Sequence, residues 1–161
     1  MFEVESYSGK REKDYEMVIK QLKALLDGET NQIANLSNAS ALLNQFLNNV
    51  NWVGFYLYEE KSDQLVLGPF QGLPACVRIP NGRGVCGSAF KEGKTMRIEN
   101  VHEFAGHIAC DAASQSEIVI PIRSSNSIIG VLDIDSPSVG RFDETDEKYL
   151  EKFVATLEEH M

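Results

Sequence analysis

Cys76, Cys86 and Cys110 stand ten and 24 residues apart, and the acids Glu117, Asp133 and Asp135 follow within the next 25 positions. No CxxC pair occurs, which argues against a zinc ribbon or a thioredoxin-type motif. Cys86 falls in a short apolar segment and reads as a small buried hydrophobe. Cys76 and Cys110 fall in loops, near Pro74 and Asp111, where a thiol is free to do nucleophilic or redox chemistry. Carboxylates held close together raise one another's pKa, so one of three can stay protonated and act as an acid. No histidine is spaced to join these acids, and no metal centre is expected.

The elements that must position these residues are legible from periodicity. Apolar positions at helical spacing predict a helix from Tyr15 to Leu26, stopped by Gly28, and a second from about Asn31 to Leu47 with Thr30 as its N-cap. From Trp52 the period changes to two. Strands are expected at 52–58 and 64–70, and residues 71–84 read as loop. A short helix over Val85 to Lys91 and a strand over Thr95 to Glu99 come next. The stretch 100–116 has no clear period, and loops of that length are usually functional. His102 and His107 lie on it and read as makers of loop hydrogen bonds, with proton shuttling the lesser alternative. A hairpin of 117–123 and 127–135 and a final helix from Asp143 to Glu159 complete an α+β order, an antiparallel sheet with helices packed on one face.

Side-chain parity links these elements to the chemistry. If Ile118, Ile120, Ile122, Ile128, Leu132 and Ile134 all face the helices, a three-residue turn within Ser124 to Ser127 puts Glu117 opposite Asp133 or Asp135. All three carboxylates then share the face away from the helices, and the same parity places Trp52 and Tyr56 there. Like charges opposed on adjacent strands repel, and aromatic rings are wasteful on bare surface. A pocket for a cationic group with an aromatic wall accounts for both.

The 161 residues suit one domain, and 43% hydrophobic content is enough for a core. Fifteen basic residues against 24 acidic ones give a formal net charge of −9, which argues against nucleic-acid and anionic-membrane partners. The longest apolar runs, 52–58 and 128–132, are far short of the ~20 residues of a membrane span. Residues 1–15 show no signal-peptide pattern, so a cytoplasmic protein is expected, without structural disulfides.

Seven segments then resemble a known family: Asn51-Trp-Val-Gly-Phe-Tyr, Leu67-Gly-Pro-Phe-Gln-Gly, Ala75-Cys-Val-Arg-Ile-Pro, Gly82-Arg-Gly-Val-Cys-Gly, Gly106-His-Ile-Ala-Cys-Asp-Ala-Ala-Ser, Ser116-Glu-Ile-Val-Ile-Pro and Gly130-Val-Leu-Asp-Ile-Asp-Ser. The chain is similar to the free methionine-R-sulfoxide reductases, which are stand-alone GAF domains, over roughly residues 28–158. Residues 1–27 carry no matched motif, and 1–161 is expected to form a single GAF-like domain.

The resemblance implies reduction of the R epimer of free methionine sulfoxide. It implies Cys110 as nucleophile, Cys76 as resolving cysteine and Cys86 as an auxiliary third. It also implies that Glu117, Asp133 and Asp135 hold the substrate's amino group and assist at the sulfoxide, with Trp52 and Tyr56 around the methyl end. Glu117 is the first candidate for the proton donor and Asp135 the second. A sulfenic acid at Cys110 would close to a Cys76–Cys110 disulfide and be reduced by thioredoxin, with no other cofactor. The 100–116 loop is expected to close over the ligand. With its two N-terminal helices, the resemblance also makes a homodimer the expected assembly. A non-catalytic GAF sensor and a redox-switch module remain the competing readings.

Overall fold

A computed structural model describes residues 1–4 and 6–161. Helices α1 (Arg11–Leu26) and α2 (Gln32–Phe46) precede strands β1 (Trp52–Glu59), β2 (Gln64–Gly72) and β3 (Arg78–Pro80). Helix α3 (Gly84–Glu92), strand β4 (Met96–Ile98), a 3-10 turn at Val101–Glu103, strands β5 (Ser116–Ser124) and β6 (Ser127–Ser136), and helix α4 (Glu144–Glu158) follow. The strands form one antiparallel sheet in the order β3-β2-β1-β6-β5-β4. No helix among the described residues is long and apolar enough to cross a membrane.

Helix α1 begins four residues earlier than periodicity predicts, because its first turn, Arg11 to Asp14, is charged and carries no apolar signal. Asp14 holds the entry to it, accepting hydrogen bonds from the Ser8 and Gly9 amides at 2.7 and 3.0 Å. The N-cap of α2 is Asn31, not Thr30: its side-chain oxygen accepts from the Ala34 amide at 3.0 Å. Helix α4 opens with a full capping box between Asp143 and Asp146. Arg78–Pro80, expected as loop, forms an edge strand against Gln64–Val66. Three residues are too few for alternation to show, and an edge tolerates the proline that closes the strand.

The sheet separates two apolar layers. On one face Val53, Phe55, Ile118, Ile120, Ile122, Leu132 and Ile134 pack against Val18, Leu22 and Leu26 of α1, Leu36 and Leu43 of α2 and Leu150, Phe153 and Leu157 of α4. Each of these larger side chains contributes about 1.5–3 kcal/mol by leaving water. On the other face Trp52, Tyr56, Val119 and Val131 meet Val85, Cys86, Ala89 and Phe90 of α3. Helix α3 therefore covers the face that sequence parity leaves to the pocket, and the helices do not all pack on one face. The apolar residues of α3 look alike from sequence whichever face they join.

The β5–β6 register brings Glu117 opposite Asp135 and Ile118 opposite Ile134. Parity holds for Ile118, Ile120, Ile122, Leu132 and Ile134 by a different device, and fails for Ile128, which lies opposite Arg123 and packs in the α3 layer. The turn has two residues, Ser125 and Asn126, and a bulge after Ile122 lets Ile129 enter β6 as the extra residue. Ser125 takes a left-handed φ of 56° to close the tight turn. The bulge does what a third turn residue would have done.

Candidate active site

Three central strands lay out the site by register alone. Trp52 of β1 is level with Asp135 of β6, which is level with Glu117 of β5. Two residues along, Gly54 is level with Asp133, and then Tyr56 with Val131. Gly54 must lack a side chain. A Cβ there would come within 2.6 Å of the Trp52 ring and would also collide with Phe70, so the ring can lie over the strand only because position 54 is empty. Trp52, Tyr56 and Phe70 form a stacked set, with ring centres 5.8 and 5.2 Å apart.

Above the aromatics runs the segment 73–76, held by its backbone. The Trp52 indole N–H donates to the Leu73 carbonyl at 3.1 Å and the Tyr56 hydroxyl to the Cys76 carbonyl at 2.8 Å. The loop carrying Cys110 is tied to the start of β1. Asn51 Nδ2 donates to Asp111 Oδ2 at 2.9 Å and to Ser114 Oγ at 3.1 Å, while the Asp111 carboxylate also receives the Ala113 amide. Cys76 and Cys110 are joined in a disulfide with Cα atoms 5.5 Å apart, so the two loops are stapled across the mouth.

Trp52, Tyr56, Cys86, Cys110, Glu117, Asp133 and Asp135 line one cavity, and Cys76 is held at its edge by the bond to Cys110. The structure thus brings together every site residue expected from sequence. It adds His107, Asp111 and Ser114 to the lining and Asn51 behind them. His107 has a loop hydrogen bond through its backbone amide, to Phe104 O at 3.2 Å, but its side chain faces the cavity. Its place within the Cys110 segment was the only available signal. The cavity measures about 40 Å³ and is partly open to solvent.

The electrostatics are those of acids kept from water. Glu117 and Asp133 are 5% and 6% exposed. Burial pushes the Glu117 carboxyl well above its usual range, and the charges of Asp133 and Asp135 push the same way. Asp133 is raised by burial, while hydrogen bonds from Glu117 and Cys86 pull against that shift. Asp135 is raised by burial and by Asp133 and Asp111. Asp133 Oδ1 is buried without a hydrogen-bond partner among the described residues, an acceptor suited to a donor from a guest.

The Cys86 thiol is buried with Sγ 3.9 Å from Glu117 Oε1, and burial followed by the surrounding carboxylates drives its pKa up. That environment favours the thiol over the thiolate. Donor atoms of Cys86, Glu117 and Asp133 lie within 4.8 Å of one another. With all three raised, the group favours protons, and a donor or a cationic guest, over a bare cluster of anions.

A family model for the GAF domain matches residues 21–161. The chain is 59% identical to the free methionine-R-sulfoxide reductase of Escherichia coli over 139 residues, 86% of this chain and 83% of that protein. The chain belongs to the GAF family, among the free methionine-R-sulfoxide reductases. It is also 66% identical to Protein YtsP of Bacillus subtilis over 158 residues, 98% of this chain and 97% of that one. The free methionine-R-sulfoxide reductase of Neisseria meningitidis, solved in complex with its substrate, superposes with a TM-score of 0.94 at 45% identity. That match covers 99% of this chain and 95% of the other. The free methionine-R-sulfoxide reductase fold here is thus a six-stranded antiparallel sheet with four helices.

Proposed function

We propose that the enzyme reduces free methionine-R-sulfoxide to methionine with Cys110 as nucleophile, Glu117 as proton donor and Cys76 as resolving cysteine. The observation that carries this is the Cys76–Cys110 disulfide at the mouth of a cavity walled by carboxyls and aromatic rings. The Cys110 thiolate attacks the sulfoxide sulfur, and Glu117, kept protonated by burial, delivers its proton to the oxygen. The S–O bond breaks, methionine leaves, and Cys110 remains as a sulfenic acid. The Cys76 thiol attacks that sulfur, water departs, and the disulfide closes. An external dithiol, thioredoxin, then reduces it by exchange.

Recognition follows from the unpartnered acceptor. The substrate's ammonium suits Asp133 Oδ1 and the half-buried Asp135, and its charge offsets the field that opposes a thiolate. The methyl end suits the faces of Trp52 and Tyr56. A sulfoxide within a peptide has no α-ammonium to give, so the free amino acid is the substrate that satisfies the buried acids. Reduction of the disulfide frees the two loops that it staples, and they can then part for the next substrate. A cytoplasmic location, where thioredoxin keeps thiols reduced, suits this cycle.

The test supplies free methionine-R-sulfoxide with dithiothreitol and measures methionine. The wild type turns over and Cys110→Ser does not; absence of turnover, or its survival in Cys110→Ser, overturns the assignment. With thioredoxin as reductant, Cys76→Ser loses steady-state cycling but keeps a single turnover. Unchanged cycling would give the resolving role to Cys86.

A further inference from the structure

The reaction as written leaves one proton without a carrier. Cys110 must lose its thiol proton beside three carboxyls, and the substrate's ammonium eases the resulting charge without accepting the proton. The imidazole of His107 is placed to take it. Only Ile108 and Ala109 separate it from Cys110, both side chains line the same cavity, and its own is 15% exposed. Its Nε2 lies 3.9 Å from Glu117 Oε2. Burial, and the neighbouring His102, lower the His107 pKa, whereas Glu117 is raised by burial, Asp133 and Asp135. The two groups therefore face each other as neutral base and neutral acid, not as an ion pair.

We propose that His107 is the base that removes the Cys110 proton and returns it to Glu117 at the end of each reduction. The inference rests on the roles given above to Cys110 and Glu117. The S–H proton passes to the imidazole, and the thiolate attacks the substrate sulfur. Glu117 gives its proton to the oxygen, which passes to Cys110 as the S–O bond of the substrate breaks. The substrate sulfur gains two electrons and Cys110 loses two. An imidazolium and a carboxylate are left 3.9 Å apart, and one proton hop makes both neutral again. The sulfenic acid carries the proton that Glu117 gave, and Glu117 is refilled with the thiol proton by way of His107, so nothing is drawn from solvent in this half of the cycle.

The experiment mixes reduced His107→Ala and His107→Gln with free methionine-R-sulfoxide and follows methionine in a single turnover, with and without added imidazole. Both variants should slow the chemical step by about 10²-fold, the usual worth of one positioned acid or base, with substrate affinity held within about threefold. Imidazole should restore about tenfold or more of the loss in His107→Ala, by supplying the missing base. A rate within about threefold of wild type, or a loss that imidazole leaves untouched and glutamine repairs, overturns the proposal. Glu117→Gln and Cys110→Ser in the same assay report on the underlying roles. Full activity in either would remove those roles, whereas the His107 result is read from the imidazole response.

Discussion

Acids are buried on both sides of this sheet, and the two groups are treated in opposite ways. On the helical side Asp146, 2% exposed, accepts the Tyr15 hydroxyl at 2.6 Å, Arg11 Nη2 at 2.9 Å, Arg141 Nη1 at 3.3 Å and the Asp143 amide at 3.0 Å. Its neighbour Asp143 pairs with Arg11 at 2.7 Å, and that guanidinium holds the Asp143 carboxyl far below its usual range. On the cavity side no arginine or lysine among the described residues forms an ion pair with Glu117, Asp133 or Asp135, although Arg83 also lines the cavity, and their carboxyls are pushed up. The first group joins α1 to α4 and is satisfied; the second is left wanting a proton or a cation. A fold tolerates the second kind of burial where a guest completes it.

Removing Asp146 attacks the satisfied group and should have the largest effect. Asp146→Ala strands Arg141, Arg11 and Tyr15 and should cost about 3–5 kcal/mol in urea unfolding, with the folded fraction still turning over. A variant that unfolds like wild type would show the network to be idle.

Asp133→Asn does the reverse. It should lower kcat/KM by about 10²-fold or more, equivalent to about 2.7 kcal/mol, while raising thermal stability, because a neutral amide is easier to bury than a carboxylate. Lower stability together with lower activity would mean that Asp133 serves the fold.

The pH dependences should run in opposite directions. A carboxyl raised in the folded state favours folding least once it must ionise. Glu117→Gln should therefore match wild-type stability below the unfolded glutamate pKa of about 4.3 and gain on it as pH rises toward the folded value. For Asp143, lowered in the folded state, the wild-type advantage over Asp143→Asn is present above about 3.9 and lost as pH falls through the folded pKa. That advantage is the smallest effect, under about 1 kcal/mol, because the Arg11–Asp143 pair is half exposed. Parallel pH curves for the two variants would erase the contrast between the two groups.

Much of the cavity was readable because β-structure repeats every two residues. Once the isoleucines of β5 and β6 are assigned inward, Glu117, Asp133 and Asp135 have no choice of face, and Trp52 and Tyr56 follow. The bulge after Ile122 was hidden, since it and a three-residue turn give the same pairing from Glu117 to Ile122 and differ only at the turn end, where Ile129 and not Ile128 joins the helical layer. The position of α3 was hidden too. A short helix with Val85, Cys86, Ala89 and Phe90 inward fits either layer, and the choice depends on which face is still uncovered.

By itself, then, the sequence determined which side chains share a face and which thiols lie in loops, because periodicity and turn residues act locally. Tertiary structure alone decided what those groups experience. Carboxyls on one face become a buried, proton-hungry set only when α3 and the Cys76 and Cys110 loops close over them. His107 meets Glu117 only because the loop before β5 folds back across the sheet. Burial and distance set pKa values, and neither is a property of any one stretch of chain.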